Sequence, residues 1–185
     1  MDDEQSIIER AKSDPEAFGV LFERHYPAIS AYIHRRVANW DAANDLTSSV
    51  FLKAFKGLWR YRWQGVPFSA WLYRIATNEV RMHFRRGARP TLSLDQMSEE
   101  CGFEPFDPAS LEAEKLEAER KLQEYEDFLK IREKILLLDL KYQDVIALRY
   151  FERKSIKEIA EILHKREGTV KSLVSRGIAK LKDLL

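Results

Sequence analysis

The sequence predicts an all-α fold of two small helical domains joined by a flexible linker, the second containing a helix-turn-helix. Three observations carry it. Apolar residues recur at three- and four-residue intervals over most of the chain, and the alternation expected of strands is absent. Residues suited to capping helices stand at Asp14, at Asn39 or Asp41, and at Ser155. Between 91 and 110 the periodicity gives way to TLSLDQMSEECGFEPFDPAS, polar, acidic and broken by Pro105 and Pro108, which is the composition of a linker. The expected domains are therefore 1–90 and 111–185.

Taken in order, Asp14 caps a first helix, Pro15 suits its first turn, and Phe18, Leu21, Phe22 and Tyr26 form its buried face. A second helix is expected after Pro27, turning Ile29, Tyr32, Ile33 and Val37 inward. In the third, Leu46, Val50, Ala54 and Leu58 line one side with Phe51 and Phe55 beside them, and Gly57 loosens its end. A fourth reads FSAWLYRIATNEVRMHFRR from Phe68. Beyond the linker a helix pattern resumes at Leu111, with Glu117 to Lys121 and Glu126 to Lys130 spaced as favourable ion pairs. Its later residues, Tyr125, Phe128, Leu129, Ile131, Ile135 and Leu136, enter a second core. Another helix is expected over about Lys141 to Phe151. Ser155 and Glu158 make a capping box, and Ile156, Ile159, Ala160 and Leu163 the buried face behind it. A short turn, His164-Lys165-Arg166-Glu167, leads to a last helix with Val170, Val174, Ile178 and Leu181 inward.

Composition narrows the function. With 45% hydrophobic and 33% charged residues in 185, the chain can bury a core, which excludes disorder. No apolar run approaches a membrane span, and Met1-Asp2-Asp3-Glu4-Gln5 lacks the basic and apolar regions of a signal peptide, so a cytoplasmic protein without membrane insertion is expected. The single Cys101 excludes an internal disulfide, and the four scattered histidines offer no metal-ligand spacing. No cofactor, metal or catalytic residue is expected, since no nucleophile and base stand at a telling spacing. Net charge is +4 over 1–90, −7 over 91–135 and +4 over 136–185, so two basic ends flank an acidic middle. That division suits two nucleic-acid contacts on one chain.

Two stretches are candidates for those contacts. The loop Trp59, Arg60, Tyr61, Arg62 and Trp63 places rings beside guanidinium groups, the means of holding unpaired bases and their phosphates, while Trp59 and Trp63 equally suit lids on the core. In the helix after it, Arg74, Asn78, Arg81 and Arg85 fall on one stripe, expected to face solvent. The last helix presents Thr169, Ser172, Leu173, Arg176 and Lys180 outward, flanked by Lys171, a mixture suited to base edges and phosphates in a major groove. A self-sufficient helix-turn-helix regulator of transcription is the main alternative such a pattern admits, and a polymerase-binding adaptor a lesser one.

Two segments resemble the sigma factors of bacterial RNA polymerase, in the extracytoplasmic-function group of the sigma-70 superfamily. DLTSSVFLKAFKGL with FSAWLYRIATNEVRMHFRR is similar to that group's second conserved region, and VIALRYFERKSIKEIAEILHKREGTVKSLVSRGIAKL to its fourth. The resemblance implies a first domain that docks on the clamp of the largest polymerase subunit and captures the melted minus-ten promoter element. It implies a second that binds the flap of the other large subunit and reads the minus-thirty-five element as duplex. Residue by residue, Asp45, Leu46, Ser48, Ser49 and Phe51 match the polymerase-docking segment, with serines where the family usually has a glutamine and an acid. Trp59 to Trp63 and Asn78 match the surroundings of the pocket for a flipped minus-ten base. Arg166, Lys171, Ser172, Ser175 and Arg176 match the duplex-reading end of the chain, with His164 at a usual glycine and Leu173 at a usual arginine. An anti-sigma factor is a further partner the family implies.

Overall fold

The computed structural model describes residues 2–37, 39–63, 66–87 and 129–185. The linker at 91–110 and the helix expected from Leu111 to residue 128 lie outside them. Every regular element among the described residues is helical: α1 (Asp2–Ala11), α2 (Pro15–Arg36), α3 (Trp40–Gly57), a 3-10 turn (Leu58–Arg60), α4 (Phe68–Arg85), α5 (129–136), α6 (Leu140–Ile146), a π-helical turn (Ala147–Phe151), α7 (Ile156–Leu163) and α8 (Glu167–Lys182).

The caps work as local chemistry dictates. Asp14 Oδ1 accepts from the Glu16 amide at 2.9 Å with Pro15 at the first helical position, and Asn39, rather than Asp41, opens α3 by accepting from the Ala42 amide at 2.8 Å. The Ser155–Glu158 box is complete: the Glu158 amide donates to Ser155 Oγ at 3.2 Å, and the Ser155 amide to Glu158 Oε2 at 2.8 Å. Behind α7, His164 takes a left-handed conformation at φ +51°, a shape that a side chain with Cβ adopts at a cost.

Three expectations are corrected. Pro27 does not divide two helices; it sits inside the single 22-residue α2. Its missing N–H removes one rung, while Leu21 on one side and Ile29, Tyr32 and Ile33 on the other are buried and hold the helix as one piece. The amino-terminal α1 has no counterpart in the sequence reading. It is tied down by Ile8, fully buried, and by His25 Nε2 at 3.1 Å from Glu4 Oε1. The helix expected over Lys141 to Phe151 is α-helical only to Ile146 and then widens into the π turn, which delivers Glu152 to the first group of helices.

A single hydrophobic cluster runs through both groups of helices, from Ile8, Leu21 and Ile33 through Leu72, Ala76 and Val80 to Val145, Leu148, Ile159, Ile162 and Val170. The second core expected from the sequence is correspondingly small: Ile135, Leu138, Tyr142 and Ile146, covered by Leu181 and Leu184. Helices α5–α8 are thus docked on α2 and α4 through apolar side chains. The contact positions everything that follows.

Candidate nucleic-acid interface

The loop after α3 is organised by its own aromatic residues. Tyr61 packs on Phe68 and Trp71, with ring centroids 5.4 and 4.9 Å apart, and Trp63 rests half-buried on the core. Burial pushes the Tyr61 hydroxyl up to about 12, so it stays protonated. Trp59 is left 63% exposed, which decides against a role as a lid on the core. The Arg60 guanidinium lies 4.3 Å from its ring centroid, a cation held against an open π face. Arg62 is exposed beside them. The loop therefore offers one free indole and two cations on a base of packed rings.

The α4 stripe behaves otherwise than expected. Asn78 and Arg85 are exposed, but Arg74 and Arg81 do not face solvent. Arg74 Nη2 donates to the Glu161 carbonyl at 2.8 Å in the last turn of α7, where the His164 amide also donates at 3.4 Å, and burial pulls the Arg74 guanidinium below its usual range. Arg81 Nε donates to Asp144 Oδ2 at 2.7 Å. The physical reason is the docking of α6 and α7 on this face, which a helical wheel drawn for α4 alone leaves open.

Asp144 is fully buried and answers a second arginine, Arg36, whose Nη2 is 2.7 Å from Asp144 Oδ1. Arg36, 1% exposed, also donates to Tyr32 Oη at 3.0 Å, and Tyr32 lies 2.9 Å from Thr77 Oγ1, which donates to the Tyr73 carbonyl. Burial opposes the Arg36 charge, but the neighbouring Tyr32 and Asp144 outweigh it and hold the group above its usual range. Beside this chain of bonds, Glu152 accepts from Arg35 and from Tyr73 Oη at 2.6 Å, and Arg132 of α5 donates to the His34 carbonyl at 2.9 Å at the end of α2. Sequence reasoning passed over Arg36, Asp144 and Glu152. The available signal was the single acid of α6, Asp144, directly before the apolar run Val145-Ile146-Ala147-Leu148.

On α8, Thr169, Lys171, Ser175, Arg176 and Lys180 are exposed, as is Arg166 before it, and Ser172 is half-buried. Leu173 is a correction: it is not an outward residue but packs half-buried against both hydrophobic clusters. It stands on the flank of the outward arc, where α8 meets the core, so burial claims its alkyl chain. Gly177 lets α8 lie close to α6, since a Cβ there would stand 3.2 Å from Ile146 Cδ1.

In α3, Asp45 and Ser48 are exposed, Leu46 and Ser49 half-buried, and Phe51 buried. Phe22 and Tyr26, expected inside, are 37% and 38% exposed and pack on Phe51, and Leu52 and Phe55 of α3 are exposed as well. A groove of about 320 Å³ runs between α3 and α4 past Leu46, Ser49, Met82 and His83. Among the described residues no group of three or more His, Cys, Asp or Glu could hold a metal ion, and no helix is long and apolar enough to cross a membrane.

Comparison with known proteins finds two matching family models. Residues 21–90 match the family model described as Sigma-70 region 2, and residues 128–181 that described as Sigma-70, region 4. The ECF RNA polymerase sigma factor SigW of Bacillus subtilis is 33% identical over 175 residues, 94% of this chain and 91% of that protein. The ECF RNA polymerase sigma factor BldN of Streptomyces coelicolor is 30% identical over 182 residues, and this chain spans 64% of its length. The solved structure of CnrH in complex with the cytosolic domain of CnrY matches with a TM-score of 0.67 at 23% identity, covering 96% of this chain and 94% of that one. It has the same fold.

Proposed function

Since the chain belongs to the extracytoplasmic-function sigma factors of bacterial RNA polymerase, we propose that it binds core polymerase, recognises minus-ten and minus-thirty-five promoter elements, and assists promoter melting. The reading divides the chain into a polymerase-docking and minus-ten unit over 1–90 and a minus-thirty-five unit over 111–185. The observation that carries it is the exposed Trp59 with Arg60 stacked on its ring, on the opposite kind of surface from the rigid, cationic outer face of α8.

The two surfaces suit two states of DNA. An indole with adjoining cations binds a base only once that base has left the stack, so its binding energy favours the opened strand over the duplex. Trp59, Arg60 and Arg62 supply the grip, with exposed Asn78 and Arg85 leading the phosphates away along α4. Thr169, Lys171, Ser175 and Arg176 on α8 meet base edges and phosphates of intact duplex, where a preformed helix fits the major groove. Asp45 and Ser48, with exposed Phe22, Tyr26, Leu52 and Phe55, form the surface offered to the polymerase clamp; the α5–α8 unit meets the flap. Melting needs no covalent step, because opened strand is captured as it forms. An anti-sigma protein is a further proposed partner, as CnrH is held by the cytosolic domain of CnrY; a cytoplasmic location accompanies the reading.

Transcription from a promoter library by core polymerase with and without the purified chain tests it. Discrete start sites with two shared upstream elements are expected. Binding to duplex without polymerase, and no defined starts with it, would replace this reading with a stand-alone regulator.

A further inference from the structure

We propose that the polymerase-docking surface continues across the groove between α3 and α4, where Glu79 of α4 offers a basic side chain of the clamp the carboxylate that α3 lacks at Ser48 and Ser49. The inference rests on the sigma-factor reading, with α3 as the docking helix.

Charge along α3 sets the problem. Residues four apart form one ridge on a helix, advancing about 6 Å per step. On α3 that ridge reads Asp41, Asp45, Ser49 and Lys53. Asp41 and Asp45 are exposed acids, which suits a partner whose facing surface is basic. Ser48 and Ser49 then carry only hydroxyls, and Lys53 and Lys56 put two exposed cations nearer the end of the helix, where they repel the same partner. On α3 alone the acidic row stops at Asp45.

Glu79 resumes it. Its side chain lines the groove that Leu46 and Ser49 enter from α3 and Met82 and His83 from α4, and its carboxylate is paired with Lys53, the next residue of the ridge. The pair is uneven: Glu79 keeps 12% of its side chain in solvent and Lys53 50%. The acid is held by its surroundings, whereas the lysine can turn into water at little cost, because so exposed an ion pair contributes little. A guanidinium replaces the ammonium to advantage, since its planar fork binds both oxygens of a carboxylate. At about 320 Å³ the groove has room for it. Exposed Met82 and half-buried Leu46 offer apolar surface to the methylenes of an arginine, and the Ser49 hydroxyl can accept a further N–H. Burial holds His83 below its usual range, so at neutral pH the imidazole brings no charge to compete for Glu79. Arg86, the remaining cation of the lining, is exposed, and solvent screens it.

A mere tie between α3 and α4 would make Glu79 and Lys53 equivalent, and a docking carboxylate makes them opposites. Titration of the full chain, labelled with fluorescein at its amino terminus, with core bacterial RNA polymerase separates the two, followed by anisotropy and accompanied by a thermal melt of each variant alone. Glu79→Gln is expected to bind polymerase about tenfold more weakly, the loss of one charge-assisted pair, with a melting temperature close to the parent's. Lys53→Met breaks the same ion pair but leaves the carboxylate to the partner, so it binds at least as tightly as the parent. Ser49→Glu in the Glu79→Gln chain returns a carboxylate to the groove one turn before Lys53 and restores most of the affinity. Equal binding by the parent and Glu79→Gln, equal losses in Glu79→Gln and Lys53→Met, or no recovery with Ser49→Glu would each overturn the assignment. A parent that binds no polymerase would overturn the sigma-factor reading and this inference with it, so the two failures are told apart.

Discussion

Arg81 and Asp144, 63 residues apart in sequence, meet at 2.7 Å between Nε and Oδ2, joining the helix read as a DNA grip to a helix of the other half. Arg81 keeps 25% of its side chain in solvent and Asp144 none. The two truncations should therefore differ. Arg81→Gln leaves Asp144 still paired with Arg36, whereas Asp144→Asn leaves Arg36 buried without its carboxylate, so the second is the costlier in urea unfolding. A double-mutant cycle on the pair should return a coupling of roughly 0.5–3 kcal/mol. A coupling near zero would mean that the pair is incidental to the contact.

The capping box gives a pH signature. Burial pushes the Glu158 carboxyl up, but the hydrogen bonds from Ser155 and the charge of Lys154 outweigh it and hold the group below its usual range. A carboxyl lowered on folding contributes stability fully present above its ordinary value near 4.5 and lost as pH falls through the lower folded value. Ser155→Ala should cost about 1 kcal/mol at neutral pH and flatten the fall in melting temperature below pH 4.5. Parallel thermal melts of the two proteins across that range measure both effects.

The left-handed residue between α7 and α8 offers a stabilising change. His164 pays for φ +51° with Cβ crowding. His164→Gly should exceed His164→Ala in stability by roughly 1 kcal/mol, read as a difference in denaturation midpoint. Equal midpoints would show that the turn relaxes when the imidazole is removed.

For the loop, Trp59→Ala should leave stability unchanged, because the ring is mostly in water. With polymerase present, it should weaken binding to a promoter strand opened at the minus-ten element by about 1–3 kcal/mol, the worth of one base stacked on an aromatic ring. Binding to closed duplex is the control and should not change.

On α8, Arg176→Ala should weaken duplex binding and lower the slope of log affinity against log salt by about 0.9, the release of one counterion. Lys157→Ala, exposed on α7 rather than on α8, should leave the slope unaltered.

Much of this architecture was legible because it is local. Asp14 with Pro15, the Ser155–Glu158 box and the α7–α8 turn are written within a few residues, and their geometry follows from nearest-neighbour chemistry. The exposure of Thr169, Lys171, Arg176 and Lys180 was readable for the same reason, whereas Trp59 was left open between a base contact and a lid on the core. What escaped is non-local. Arg74 and Arg81 read as a solvent stripe because nothing in α4 reveals that α7 and Asp144 cover it. Phe22 and Tyr26 read as core because their spacing is helical, yet α3 supplies only Phe51 to meet them and leaves their outer edges bare. Pro27 read as a break because its missing N–H is visible in sequence and the packing that tolerates the loss is not.

Arg36 carries a consequence for interchangeability. A guanidinium only 1% exposed, whose carboxylate arrives from the opposite half, cannot be inherited apart from that carboxylate. A chimera joining residues 1–90 to the carboxy-terminal half of a relative without an acid at the position of Asp144 would have to leave the two halves apart or strand a cation in the shared core. Lineages that trade halves freely should therefore lack this arginine, and those that keep it should exchange the halves only as a matched set.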